Sequence, residues 1–343
     1  MRSTMTVCTA VFSAFAWLGA QDAGVTSIQV GFLPGEANPA RVVWRGSAFE
    51  LTSNATASED RQPTLGRGVF LGADTPATLR LEMVDADTCM MVMQRPPTSG
   101  NLLQLGDLRR VDGAWRLVAA AILDKVVPPF GASEPPTWFS RSELVAWDEA
   151  ARIATIVVMH NIMLTAEQAG GEATSGAVLE CRVPLTKVSG DSPVPVLAPP
   201  TGKLVAVGRG MRTHRSGSSC VLSTLVEDRS ETTGRLVFRL RIWQRDQSGE
   251  WRDLSVPRLL VGQPYEYGIA RGNDGTLVVA MLEPTNGQTV LRTARLRSDQ
   301  GHFVVEETVL AQPPGNGVPI LWQSTPDGPA AWSFDNGRAT RVH

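Results

Sequence analysis

Lysine is nearly absent from this 343-residue chain. It occurs only at Lys125, Lys187 and Lys203, so arginine supplies almost all of the 32 cationic side chains. Arginine codons are GC-rich, and the bias points to a GC-rich bacterial genome. Histidine is scarce too, at His160, His214, His302 and His343 only. No two of them have the H-x-x-H or i, i+4 spacing of a metal site, so neither a metal nor a cofactor is expected. The four cysteines, Cys8, Cys89, Cys181 and Cys220, show no C-x-x-C spacing, which argues against a zinc site. A G-x-S-x-G nucleophile elbow is missing. Thr201-Gly202-Lys203 lacks the glycine spacing of a phosphate loop. The formal net charge is −2, which gives no global positive field to draw nucleic acid or an acidic membrane.

Long apolar runs are missing except at the start. Met1-Arg2-Ser3-Thr4 carries one basic residue, residues 5–20 carry no charge, and the run ends in Gly19-Ala20 before Gln21-Asp22. This is the pattern of a secretory signal peptide with cleavage near Gln21. The run is short for a membrane span, which needs about 20 apolar residues. An uncleaved anchor and a buried first strand are the alternatives. Residues 21–343 are expected as one domain, secreted or periplasmic, with no integral membrane segment after cleavage. Cys8 leaves with the signal. The remaining Cys89, Cys181 and Cys220 allow one disulfide and one free thiol, or three buried thiols acting as small apolar residues. Asn54-Ala55-Thr56 fits a glycosylation sequon, silent in a bacterial protein.

Hydrophobic residues make up 43% of the chain and charged residues 19%, enough apolar material for a core and too little charge for a disordered chain. Helical periodicity is absent. Short apolar runs alternate with Gly, Asp, Asn, Ser and Pro turns, the rhythm of a sandwich, barrel or propeller. The C-terminal part shows it best. A strand from Tyr267 leads to a turn at Gly272-Asn273-Asp274-Gly275. Residues 276–282 are apolar on both faces. Pro284-Thr285-Asn286-Gly287 turns again, 289–297 follows, and after a turn at 298–301 comes 302–310. Four antiparallel strands in a row make one propeller blade. Similar groups are read at 203–208, 220–226, 235–245 and 251–260, and at 144–147, 153–161, 177–187 and 194–198. An earlier group ends with 102–110 and 115–123. Met83, Met90, Met91 and Met93 around Cys89 read as core. The expected architecture is an all-β propeller of five or six four-stranded antiparallel blades, with a β-sandwich as the alternative. The end of the chain, 339–342, is expected to pair with 27–32 and close the ring.

Two kinds of turn carry a resemblance. Trp322-Gln323-Ser324-Thr325-Pro326-Asp327-Gly328 before Ala330-Ala331-Trp332-Ser333 resembles the S-x-D-G hairpin of PD40-type propeller repeats. Asp246-Gln247-Ser248-Gly249-Glu250-Trp251 and Ser298-Asp299-Gln300-Gly301-His302-Phe303 resemble degenerate Asp-box hairpins of sialidase-like propellers. The second resemblance implies an arginine clamp for a carboxylate, a tyrosine nucleophile and acidic partners. The F/Y-R-I-P signature of that family is not present, and Arg41-Val42-Val43-Trp44-Arg45 stands in its place.

Two clusters are candidates for chemistry. Tyr265, Glu266 and Tyr267, read as an inter-blade loop, place the chain's only tyrosines beside a carboxylate. Arg209, Arg212, His214 and Arg215, read as a loop between two strands, offer three guanidiniums and an imidazole to an anion. The function expected is an exported, non-catalytic propeller module that binds a glycan, a peptide or a protein partner. A glycan-cleaving hydrolase of the sialidase-like or five-bladed type is the alternative.

Overall fold

The computed structural model describes residues from Thr26 to Val342, leaving out 33–38, 53–77, 95–101, 131–140, 189–193, 311–319 and a number of shorter joints. The signal segment 1–20, Asn54, Tyr265 and the turn 298–301 lie outside the described residues. The rest is almost wholly strand, and it divides into two compact units.

The first unit comprises Met1–Ile122 and Leu185–Leu197. Its strands are β1 (Thr26–Phe32), β2 (Pro39–Arg45), β3 (Ala48–Thr52), β4 (Thr78–Met83), β5 (Thr88–Gln94), β6 (Leu103–Val111) and β7 (Ala114–Leu123). Two meanders, β1-β2-β3 and β4-β5-β6-β7, join into one sheet where Ala48 and Phe49 of β3 pair with β7. Cys89, Met90 and Met91 are buried on β5, as the sequence suggests for an apolar strand.

The second unit comprises Leu123–Pro184 and Ala198–His343. It opens with β8 (Arg141–Asp148), β9 (Ile153–Leu164), the single-turn helix α1 (Ala166–Ala169) and β10 (Thr174–Pro184). The short β11 (Thr186–Lys187) belongs to the first unit and pairs with β7. Next come β12 (Lys203–Val207), β13 (Arg209–Ser216), β14 (Ser219–Arg229), β15 (Leu236–Arg245), β16 (Trp251–Asp253) and β17 (Leu260–Val261). The chain continues through β18 (Glu266–Arg271), β19 (Leu277–Thr285), β20 (Gln288–Arg297) and β21 (His302–Val309). It ends with β22 (Ile320–Thr325), β23 (Gly328–Asp335) and β24 (Arg338–Arg341).

These strands form four antiparallel sheets: β12-β10-β9-β8, β13-β14-β15-β16 with β17 on β15, β18-β19-β20-β21, and β22-β23-β24. The first strands pack in sequence order, β8 against β13, β13 against β18, and β18 against β22. That is the blade-after-blade order of a propeller, and it differs from the two facing sheets of a sandwich. The pattern follows from the side chains. On β15, Phe238, Leu240 and Ile242 are buried while Arg239 and Arg241 alternate with them on the other face. On β19, residues 277–282 are all buried, because sheets cover both faces. Asn286 and Gly287 take φ of 50° and 77°, the positive values a two-residue hairpin turn requires.

Two expectations need correction. Residues 203–208 do not open the group that follows them: β12 is the outer strand of the sheet before. Residues 194–198 do not form a strand, and Val196 makes only an isolated parallel bridge to Ile122. The C-terminal strand β24 bonds to β23, and β1 bonds to β2. The chain passes from β12 to β13 through Gly208 alone, at φ 110°. Gly208 N–H donates to Gly176 O at 3.0 Å. A Cβ on Gly176 would stand 2.2 Å from Gly208 O, and one on Gly208 would stand 2.7 Å from Leu225 O. Backbone meets backbone here, and only glycine fits.

Candidate functional site on the first strands

The segment expected as a basic loop is strand β13, the first strand of its sheet. A strand presents alternate residues to opposite sides, and β13 uses both. Met211 is buried with Met159 and Val157 of the preceding sheet. Thr213 follows it: its N–H donates to Glu143 Oε2 at 3.1 Å, and its hydroxyl bonds the same oxygen. Arg212 turns the other way. Its Nε donates to Tyr267 O at 2.8 Å, its Nη2 pairs with Glu266, and the guanidinium stands 5.0 Å over the Tyr267 ring.

Glu143 lies on β8 and is 3% exposed. Its second oxygen pairs with Arg141 Nε. A buried carboxylate is costly unless hydrogen bonds and counter-charge satisfy it. Arg141 and Thr213 do so here, and they tie β8 to β13. Glu266 and Arg212 tie β13 to β18 in the same way. Glu143 and Glu266 thus stand on the two strands that flank Arg212-Thr213.

The structure separates the four proposed anion holders. Arg209 stacks 4.2 Å over the Phe238 ring and lies 3.6 Å from Glu227. Arg212 is committed to Glu266. His214 is half-buried, and burial first, then Arg271 of β18, hold its imidazole below the usual histidine range. Arg215 lies opposite Cys220 of β14, one residue out of phase with His214. Of the tyrosine cluster, Glu266 and Tyr267 begin strand β18 and are not in a loop. The Tyr267 hydroxyl donates to Ser223 O at 3.2 Å. Burial pushes its phenol up to about 12, against the pull of Arg212.

The hairpin at 246–251 is held by the Asp246 carboxylate. Asp246 Oδ1 accepts from the Ser248 hydroxyl and from Glu250 N–H at 3.0 Å, and these bonds hold its carboxyl below the usual range. Trp251 reaches back to the preceding sheet, where its Nε1 donates to Glu180 at 2.7 Å beside Arg245 Nε at 2.9 Å. Cys89, Cys181 and Cys220 are free thiols, all buried. Among the described residues no cluster of His, Cys, Asp and Glu is arranged to hold a metal. No described helix is long and apolar enough to cross a membrane.

Sequence reasoning missed Arg141, Glu143, Thr213, Gln244 and Arg271. The available signal was period-two spacing: Arg141 and Glu143 open an apolar strand, and Arg212 and His214 share one side of β13.

No protein-family model matches the chain, and no curated protein is significantly similar to it. Solved structures overlay it weakly. A thermostable family-43 glycoside hydrolase shares 11% identity, covering 87% of this chain and 97% of the other, at a TM-score of 0.36. Drosophila Semaphorin 2a shares 9% identity over 99% of this chain and 68% of the other, at 0.36. An endo-arabinase from Bacteroides thetaiotaomicron shares 10% identity over 82% and 88%, at 0.29. At such overlap the fold rests on the sheets themselves.

Proposed function

We propose that the chain is an exported β-propeller module that recognises a glycan at the first-strand cluster of its second unit. One observation supports this above the others: Glu143 and Glu266 flank Arg212-Thr213, and each carboxylate is oriented by an arginine. A fixed guanidinium–carboxylate pair offers donors and acceptors at set spacing, an array that neighbouring sugar hydroxyls match. The two carboxylates also favour a second reading, glycoside hydrolysis, which uses a pair of Asp or Glu residues. The engagement of Glu143 by Arg141 and Thr213 supports binding over catalysis.

A glycan array probed with the mature protein, followed by calorimetry with the best oligosaccharide, tests both readings. Binding without change in the oligosaccharide, weakened at least about tenfold by Glu266→Gln, supports the binding module. Shortened products, lost in Glu266→Gln, support the hydrolase. Absence of binding across the array overturns both. For export, the mature N-terminus is expected within a few residues of Gln21, and Met1 intact on the exported protein contradicts it.

A further inference from the structure

A second polar cluster lies where the β13–β14 hairpin approaches the turn between β18 and β19. His214, Val221 and Gln244 form one cross-strand row over β13, β14 and β15. Directly opposed residues on antiparallel strands share a face, so His214 and Gln244 face the same way. That face is the one covered by the β18 sheet, since Val221, Leu240 and Ile242 pack there with Tyr267 and Ile269. From β18, Arg271 reaches over the row. Its Nη2 donates to Gln244 Oε1 at 3.0 Å and its Nη1 to Gly275 O at 3.1 Å. Gln244 Nε2 in turn lies 3.3 Å from the Ser219 hydroxyl.

Arg271 is half-buried, and among the described residues both of its partners are neutral oxygens. Arg109, Arg141, Arg212, Arg245 and Arg292 differ, each pairing with a carboxylate. A partly buried cation without a counter-charge, set against an imidazole, is stabilised by an anion. Guanidinium and hydroxyl donors suit oxyanions in particular. Among the described residues, the charged side chains near His214 include Arg271 on β18 and, on its own strand, Arg212 and Arg215. Of these, Arg212 is engaged by Glu266.

We propose that Arg271 and His214, with Gln244 and Ser219 linked to Arg271, form a binding site for an oxyanion, a sulfate, phosphate or carboxylate group. The bound group accepts from the remaining guanidinium N–H and the Ser219 hydroxyl, and it favours the protonated imidazole, which adds a further donor. The site is distinct from the Glu143–Arg212–Glu266 cluster and does not depend on the glycan reading.

The test is an NMR titration of the His214 ring in the mature protein. Sodium sulfate, phosphate and acetate are added in separate arms, each matched to sodium chloride at equal ionic strength. Sulfate or phosphate is expected to raise the His214 midpoint by about one unit relative to chloride, with saturation. Acetate shifting it equally assigns the site to carboxylates as well. Arg271→Gln, checked for its fold by circular dichroism, is expected to abolish the shift, and Ser219→Ala to weaken saturation. A His214 midpoint that follows ionic strength alone, identical in all arms of the wild-type protein, overturns the proposal whether or not the variants fold.

Discussion

Burial at single residues sets the pH behaviour. Cys181 is pushed up from 9.0 to about 12 by burial first and by neighbouring Glu180 second. Tyr267 moves from 10.0 to about 12. For both groups the folded value lies above the unfolded one. Each therefore stabilises the fold fully below its unfolded value, and that contribution is lost as pH rises toward 12. Thermal midpoints are thus expected to fall on the alkaline side as pH passes 9 and 10. Thiol titration is expected to find no fast-reacting cysteine in the native protein and three in denaturant, with or without reductant. A reductant-dependent count contradicts the free thiols. At Glu143, substitution by Gln removes the charge that Arg141 and the Thr213 amide and hydroxyl rely on. A loss of about 1–3 kcal/mol in denaturant unfolding is expected, and an unchanged midpoint contradicts the tie between β8 and β13.

Strands were legible wherever the side-chain pattern was strong. β9 and β19 read as apolar on both faces because sheets cover both sides, and the Asn286-Gly287 turn declared itself through its residue types. Strand β13 was not legible. Arg-Gly-Met-Arg-Thr-His-Arg-Ser has one large apolar residue, and its glycine and charges imitate a loop. What makes it a strand is tertiary: Glu143 and Glu266 on its two neighbours take up Thr213 and Arg212. The same reason hid the candidate site, since paired charges on separate strands leave no local motif. The division at Gly208 was hidden as well, because one residue is too short to look like a boundary. Gly208→Val is expected to destabilise the second unit by at least about 1–3 kcal/mol from strain alone. Urea unfolding measures it, and Gly234→Val, with no atom within 4 Å of its Cβ position, is the milder control. Equal effects of the two contradict the close approach at Gly208.

At the scale of the whole molecule, the described strands fall into five sheets. In chain order they have eight, four, five, four and three strands. The series of groups was legible in the sequence because each turn ends a run of about strand length. Membership at the joints was not, because an outer strand and the next first strand look alike in composition. Core substitutions should report on this arrangement. Ile156 is fully buried on β9, and Ile156→Ala is expected to cost about 2–5 kcal/mol. Unfolding of the second unit, followed by tryptophan fluorescence, measures that loss, and a cost below about 1 kcal/mol contradicts a sheet covered on both faces.

Ligand recognition is proposed to fall on the first strands of the second unit, where Glu143, Arg212, Thr213 and Glu266 meet. Hydrogen–deuterium exchange of the mature protein, with and without the oligosaccharide chosen by the array, locates the contact. Slowed exchange is expected in peptides covering β8, β13 and β18, with the first unit unchanged. Protection confined to the first unit, or to the outer strands β12, β16 and β21, contradicts it.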